Sequence, residues 1–389
     1  MNTFSGEKPI QVGLPPLESF WPSVGQPYKV ASSFFSESPD TSTLLRPISV
    51  SPATYRASLD FQVPFTFAIG YVTTVLFLNR LNVSRQGKPW AFSKNPVFKA
   101  FVVLHNASLA VFSAWVLYGM GYSMYASWPT GATKEGPDYH AHVAQMFCAT
   151  DANAIQGKMN PSVYLIPSLE CQYLTSSHMT ASANVKSLWD EGSAYFGWFF
   201  YMSKFYEVLD TMIILSSGKK SSTLQTYHHA GVILCAWASL RYTSPSYVVP
   251  VVFNSAVHTL MYSYFAMQSL GVSIPMAIKR SLTVIQIAQF LIGLVWLYVP
   301  VFLKYNISSV MTPQAFSNVS LSELAPRLVH AAPSRDFCDE TEKFAADTAV
   351  SCLTDRGQAL AVAYSTIYIL PLLVLFVQFF IRSYMKARK

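Results

Sequence analysis

The chain has 389 residues, of which 51% are hydrophobic, 15% aromatic and only 12% charged. Soluble proteins carry about 25% charged residues, so the composition excludes an ordinary water-exposed globule and points to lipid as solvent. The formal net charge of +7 raises nucleic acid as a partner, but the placement of the basic residues reads as a topology signal instead.

Residues 1–58 are rich in Pro and Ser and hold no apolar core or cleavage site of signal-peptide type. They read as an irregular amino-terminal segment. From residue 59 to 389 the sequence reads as one all-α domain, a polytopic membrane protein with seven transmembrane helices. The predicted spans are 61–79, 97–121, 192–216, 221–240, 247–270, 281–303 and 358–381. Each supplies the ~20 mostly apolar residues that a bilayer requires, the third only by carrying charges into its second half. Pro64 falls near the start of the first span, where an unpaired amide makes it tolerable. His105 and Asn106 lie inside the second.

The long connections 122–191 and 304–356 exceed ordinary loop length and read as packed lids or partly disordered segments. They hold His140, His142, His178 and His330. A pair at i, i+2 is a poor metal site outside a strand, so no metal is expected. Cys148, Cys171, Cys338 and Cys352 also fall in these connections, with three connectivities open, whereas Cys235 sits within a span. Sequons begin at Asn306 and Asn318.

Thirteen basic residues, with no acid among them, flank the spans on one side: Arg80, Arg85, Lys88, Lys94, Lys99, Lys219, Lys220, Lys279, Arg280, Arg382, Lys386, Arg388 and Lys389. The two long connections hold thirteen acids. Positive charge inside sets orientation, so the short basic loops and the carboxyl terminus are expected in the cytosol. The amino terminus and both long connections are then lumenal. Four cysteines and two sequons on that side agree with an oxidising compartment.

Three polar strings interrupt the apolar runs: KFYEVLDT (204–211), QTYHH (225–229) and NSAVHTLMYSYF (254–265). A charge at bilayer depth costs roughly 2.5–3.5 kcal/mol on insertion scales, so such residues are functional candidates by default. Lys204, Glu207 and Thr211 fall at i, i+3, i+7, with Asp210 one position off that line. Gln225, His228 and His229 fall at i, i+3, i+4. Asn254, His258, Met261, Tyr262 and Phe265 fall at i, i+4, i+7, i+8, i+11, and Thr283, Gln286 and Gln289 at i, i+3, i+6. Each set lines one face of its helix. Together with His105 they predict a shared polar cavity in the cytosolic half of the bilayer, accepting an anionic headgroup above and an apolar chain below. No Gly-rich phosphate loop, dinucleotide fingerprint or paired CxxC occurs, so no nucleotide cofactor is indicated.

These strings resemble the boxes of the very-long-chain fatty acid elongase (ELO) family, the condensing enzymes of the endoplasmic reticulum. KFYEVLDT resembles KxxExxDT and NSAVHTLMYSYF resembles NxxxHxxMYxYY. TVIQIAQ (283–289) resembles TxxQxxQ, and QTYHH resembles HxxHH with Gln225 in place of the first histidine, as in fungal-type QxxHH members. The match covers about residues 60–385, and an imidazole role at position 225 is ruled out.

The resemblance implies a very-long-chain 3-oxoacyl-CoA synthase, an acyltransferase condensing a long-chain acyl-CoA with malonyl-CoA and releasing CO₂ and CoA. It implies no cofactor beyond these substrates, with membrane lipid, a second copy and the other elongation enzymes as partners. It assigns His228 as the acyl-accepting nucleophile, since neutral imidazole attacks thioesters, with His229 orienting it or exchanging protons. Asn254 and His258 are the candidate donors to the developing enolate, with Tyr262 as a further donor. Lys204, Glu207, Asp210 and Thr211 are expected to shape the wall, Lys204 also meeting a CoA phosphate or the malonyl carboxylate. Gln225, Tyr264, Gln286, Gln289, His105 and Asn106 complete the expected substrate site, and Lys304 is a candidate cap for the tunnel.

Two other classes compete. A seven-helix lipid receptor or transporter predicts no acyl transfer to His228. A membrane di-iron desaturase needs more ligands than His105, His228, His229, His258, Glu207 and Asp210 supply.

Overall fold

A computed structural model describes residues 10–15, 46–130, 139–148, 188–306, 349–353 and 356–385. Cys171, Cys338, His178, His330, the sequon at Asn318 and the side chain of Asn306 lie outside the described residues.

Helices form at all seven apolar stretches. After a short α1 (Pro52–Ser58) come α2 (Gln62–Ser84) and α3 (Pro96–Ser127), and α4 (Tyr139–Cys148) lies in the first long connection. The third stretch is two helices, α5 (Ala194–Glu207) and α6 (Leu209–Ser216), followed by α7 (Thr223–Arg241) and α8 (Val248–Ser269). The last two are α9 (Met276–Phe302) and α10 (Arg356–Phe380). Four stretches, Gln62–Ser84, Pro96–Ser127, Met276–Phe302 and Arg356–Met385, are long and apolar enough to cross a membrane. The other three carry the charged and histidine boxes.

The described residues fall into two compact units. One draws on Met1–Ser23, Ser123–Glu191 and Val299–Arg356. In it β1 (Ile10–Val12), β2 (Leu303–Asn306) and β3 (Ala349–Ser351) form an antiparallel sheet in that order, Ile10 opposite Tyr305 and Lys304 opposite Ser351. Ala141, Ala144 and Cys148 of α4 pack on Tyr305 and Cys352. A Cys148–Cys352 disulfide joins positions 204 residues apart, a closure worth on the order of 5 kcal/mol in the chain-entropy picture. To a mostly helical chain the structure adds these three short strands, one of them and the short α1 from the amino-terminal segment, and Lys304 lies in β2, two residues past the end of α9. Strands of three or four residues are too short to show a period of two.

The other unit comprises Val24–Tyr122, Gly192–Tyr298 and Gly357–Lys389. Ser51 caps α1, its Oγ accepting from Thr54 N at 3.1 Å, with Pro52 opening the helix. The carboxyl end of α1 is tied to two neighbours. Tyr201 and Trp198 of α5 donate to Ser58, while Trp237 and Arg241 of α7 donate to the Leu59 carbonyl at 2.8 and 2.6 Å. Buried Asn82 of α2 donates to Leu215 O (2.7 Å) and Lys219 O (3.0 Å) past the end of α6, and accepts from Trp90 Nε1. Gly218, at φ 78°, makes that turn; a Cβ there would strike the Gly87 backbone. These ties fix α6 and α7 on α2, and so aim the boxes they carry.

Candidate functional site

The break between α5 and α6 at Val208, where Thr211 N reaches back only to Val208 O (3.0 Å), separates residues that sequence spacing put on one line. Glu207 points toward α8, Asp210 toward α3 and α8, and Thr211 toward α2.

The first group is dry. Lys204 Nζ donates to Glu207 Oε1 at 2.7 Å and to Asn254 Oδ1 at 3.3 Å, and sits 4.1 Å over the Phe200 ring. Ser203 Oγ donates to the same Glu207 oxygen at 3.0 Å. Glu207 Oε2 lies 3.7 Å from His258 Nδ1, within electrostatic reach but too far for a hydrogen bond. Lys204 and Glu207 are each 1% exposed. The Lys204 ammonium, expected to meet a CoA phosphate or malonyl carboxylate, is enclosed by Glu207, Asn254 and an aromatic face.

The second group starts from a helix cap. Ser222 Oγ accepts from Gln225 N at 3.2 Å, which places Gln225 in the first turn of α7 and the two histidines in the next. The Gln225 amide donates to His229 Nε2 at 2.9 Å and approaches Thr211 Oγ1 at 3.5 Å. Thr211 Oγ1 in turn shares a hydrogen bond with Tyr71 at 2.8 Å. His228 Nδ1 lies 2.7 Å from the Tyr368 hydroxyl of α10.

The third group surrounds Asp210. Its Oδ1 accepts from His105 Nε2 at 2.7 Å and its Oδ2 from the Tyr262 hydroxyl at 2.7 Å. The Tyr206 hydroxyl lies 3.2 Å from the other His105 nitrogen. Asn106 donates to Val102 O within its own helix.

Two cavities meet among these groups. The larger, of about 560 Å³, is lined by Asn106, Asp210, Gln225, His228, His229, His258, Tyr262, Tyr264, Gln286 and Gln289, with Lys279, Thr283 and Tyr384 alongside. The smaller, of about 100 Å³, is lined mainly by apolar groups such as Phe200, Val232, Leu240, Val251, Leu297 and Ile369, with Asn254 and Tyr368. His228, Gln289 and Phe290 line both. An imidazole at a polar-to-apolar junction can meet the reactive carbon of a molecule with a polar head and a hydrocarbon tail.

Ten of the fifteen residues singled out from sequence line the larger cavity. Lys204, Glu207, Thr211 and His105 stand behind its wall, and Asn254 faces the smaller one. The residues thus divide between an open cavity and a closed network behind its wall. Sequence reasoning missed Tyr368, Tyr71, Ser203 and Tyr384. Tyr368 is one of 22 tyrosines and sits in an apolar run with no charged neighbour, so spacing had nothing to mark it.

A family profile described as "ELO: GNS1/SUR4 family" matches residues 57–389. Fatty acid elongase sre1 of Dictyostelium discoideum is 24% identical over 235 residues, 60% of this chain and 67% of that protein. Fatty acid elongase 2 of Trypanosoma brucei brucei is 32% identical over 124 residues, 32% of this chain and 46% of the other. Long chain fatty acid elongase 2 of Caenorhabditis elegans is 35% identical over 104 residues, 27% and 38% respectively. The alignments thus span about two thirds of the first relative and less than half of the other two. No solved structure matches the chain.

Proposed function

Because the chain belongs to the ELO (GNS1/SUR4) family, we propose that it is a fatty acid elongase acting as a very-long-chain 3-oxoacyl-CoA synthase. It condenses a long-chain acyl-CoA with malonyl-CoA to a 3-oxoacyl-CoA two carbons longer, releasing CO₂ and CoA, without a further cofactor. The observation that carries this reading is the position of His228, half-buried on α7 and lining both the polar and the apolar cavity.

In this reading the acyl tail enters the apolar side and the thioester meets His228. Nucleophilic attack gives an acyl-imidazole. Decarboxylation of the malonyl thioester leaves an enolate, which His258 meets as a donor in the larger cavity, while Tyr262, its hydroxyl donating to Asp210, lines the wall beside it. Gln286 and Gln289 hold the thioester and the pantetheine amides, and Asn254 faces the tail side. Lys279 stands nearest among the cationic groups to draw CoA phosphates to the cavity. Lys204 and Glu207 hold α5 to α8 and act on the site only through its wall.

We place the protein in the endoplasmic reticulum membrane with seven spans, the amino terminus lumenal and the basic loops cytosolic. The asymmetry of Lys and Arg supports that orientation, and the disulfide joining two connections on the acidic side supports an oxidising lumen.

Membranes containing the protein, incubated with an acyl-CoA series and labelled malonyl-CoA, should yield labelled products two carbons longer. Peptide mass spectrometry should find an acyl adduct on His228 when malonyl-CoA is withheld. Elongation that persists in His228→Ala removes the assigned nucleophile. Absence of any product from the wild-type protein across the series sinks the enzyme reading in favour of a receptor or transporter.

A further inference from the structure

The final helix holds a residue that none of the four boxes contains. Tyr368 of α10 places its hydroxyl 2.7 Å from His228 Nδ1, with the two rings inclined by only 22°. The contact is built from both helices. Tyr227 stacks on the other ring of the set, 6.0 Å from the Tyr368 centroid, and its hydroxyl donates to the carbonyls of Ile367 and Tyr368 at 3.1 and 3.3 Å. Gly231, one turn beyond Tyr227, leaves the space that the Tyr368 ring fills; a Cβ there would overlap the ring. Among the described residues His228 Nε2 has no hydrogen-bond partner, while the ring lines both cavities.

Resting on the reading of His228 as nucleophile, we propose that Tyr368 is its positioning residue: the phenol oxygen accepts the Nδ1 proton, fixing the tautomer in which Nε2 carries the attacking lone pair. A histidine is oriented by whatever its second nitrogen bonds, and the usual partner is a carboxylate or carbonyl. Here a neutral phenol does that work.

The electron count closes without moving the Nδ1 proton. The Nε2 lone pair attacks the thioester carbon, the C–S bond breaks, and its electron pair leaves on CoA as thiolate. The ring is then an N-acyl-imidazolium, with Nδ1–H still held by the Tyr368 oxygen. Loss of CO₂ from the malonyl carboxylate leaves an enolate that attacks the acyl carbon. The C–N bond breaks, its pair returns to Nε2, and the neutral Nδ1–H ring is restored. The CoA thiolate takes its proton from solvent. Tyr368 thus serves both halves of the cycle from one position.

The test compares wild type with Tyr368→Phe, which keeps the ring and its fit against Gly231, and with Gly231→Ala, which keeps the hydroxyl and displaces it. Single-turnover formation of the His228 acyl adduct is followed by mass spectrometry over a pH series, beside steady-state kcat and KM for the acyl-CoA. Both variants should slow adduct formation by roughly 10- to 100-fold, the size of loss that follows removal of the partner orienting a metal-bound imidazole. In Tyr368→Phe, KM should stay within about twofold while kcat falls, because the ring that lines the tail cavity is kept and only its hydroxyl is lost. Placing 4-methoxyphenylalanine at position 368, whose ether oxygen accepts a hydrogen bond but cannot donate one, should recover most of the rate lost in the Phe variant.

A Tyr368→Phe protein that forms the adduct at the wild-type rate, with an unchanged pH profile, overturns the proposal. So does loss of kcat and KM together without recovery by 4-methoxyphenylalanine, since that is the signature of a structural role. Failure of the wild-type protein to form any adduct on His228 sinks the nucleophile assignment instead, and is distinguishable because it precedes any variant.

Discussion

The Lys204–Glu207–Asn254 network and the Gln225–His228–His229 row come from the same kind of sequence signal and end in opposite environments. Both are polar sets at helical spacing inside apolar stretches. The first closes on itself: ammonium on carboxylate at 2.7 Å, amide oxygen at 3.3 Å, ring face at 4.1 Å. The second leaves a nitrogen of His228 facing open space. What separates them is enclosure: Lys204 and Glu207 adjoin no space large enough for a water, while His228 lines two cavities. A charge surrounded by partners is structural, and a ring tethered at one nitrogen only is free to react.

The comparison breaks most sharply at His228. His228→Ala should lower condensation by roughly 10³-fold or more, in line with removal of a nucleophile, while the detergent melting temperature barely moves. Glu207→Ala should behave the other way round. It leaves the Lys204 ammonium without its carboxylate, and breaking one side of a buried pair costs about 3–5 kcal/mol. A large loss of thermal stability, read by fluorescence melting in detergent, is the expected result. The double variant Lys204→Met, Glu207→Leu should recover most of that stability, since a buried pair replaced by apolar groups of similar volume is often neutral. If the double variant is as unstable as the single one, the network is holding something other than its own charges.

These contrasts mark where sequence reading stops. The seven helical stretches were legible because apolar runs of bilayer length have few other fates, and the helix faces because 3.6 residues per turn fixes which positions align. The break at Val208 was not, since a tightened turn between Glu207 and Leu209 leaves no Gly or Pro to announce it. Without the break, Lys204, Glu207 and Thr211 look like one wall of one cavity. With it, Thr211 turns to Tyr71 and Gln225, and Asp210 to His105 and Tyr262. The disulfide illustrates a different limit. Four cysteines in the two long connections allow three pairings, and only the packing of α4 against β2 and β3 brings Cys148 to Cys352. Asn82 and Tyr368 were invisible because their roles depend on partners more than a hundred residues away.

Gln225 offers an intermediate case, with one foot in each region. Its amide donates to His229 Nε2 at 2.9 Å and touches the Thr211–Tyr71 pair. Gln225→Leu removes a neutral hydrogen bond worth about 1 kcal/mol, so kcat should drop roughly fivefold. Gln225→His, which restores a ring at that place, should keep activity within the same range. A loss as large as that of His228→Ala would mean the amide takes part in the chemistry directly.

The finest contrast separates two tyrosines on the same ion pair. Tyr262 is 1% exposed and donates to Asp210 Oδ2 at 2.7 Å, while Tyr206 is 43% exposed and lies 3.2 Å from His105 Nδ1. Hydrogen bonds to a charged acceptor contribute about 1.5–3 kcal/mol, and the carboxylate of Asp210 lines the cavity, so Tyr262→Phe should lower stability by that amount and kcat with it. Tyr206→Phe should stay within about 0.5 kcal/mol of wild type, as exposed positions generally do. Measured side by side by melting temperature and elongation rate, equal effects would mean that His105 rather than Asp210 is the group these hydroxyls serve. A large Tyr262 effect beside a silent Tyr206 would fix Asp210 as the point where the closed network meets the larger cavity.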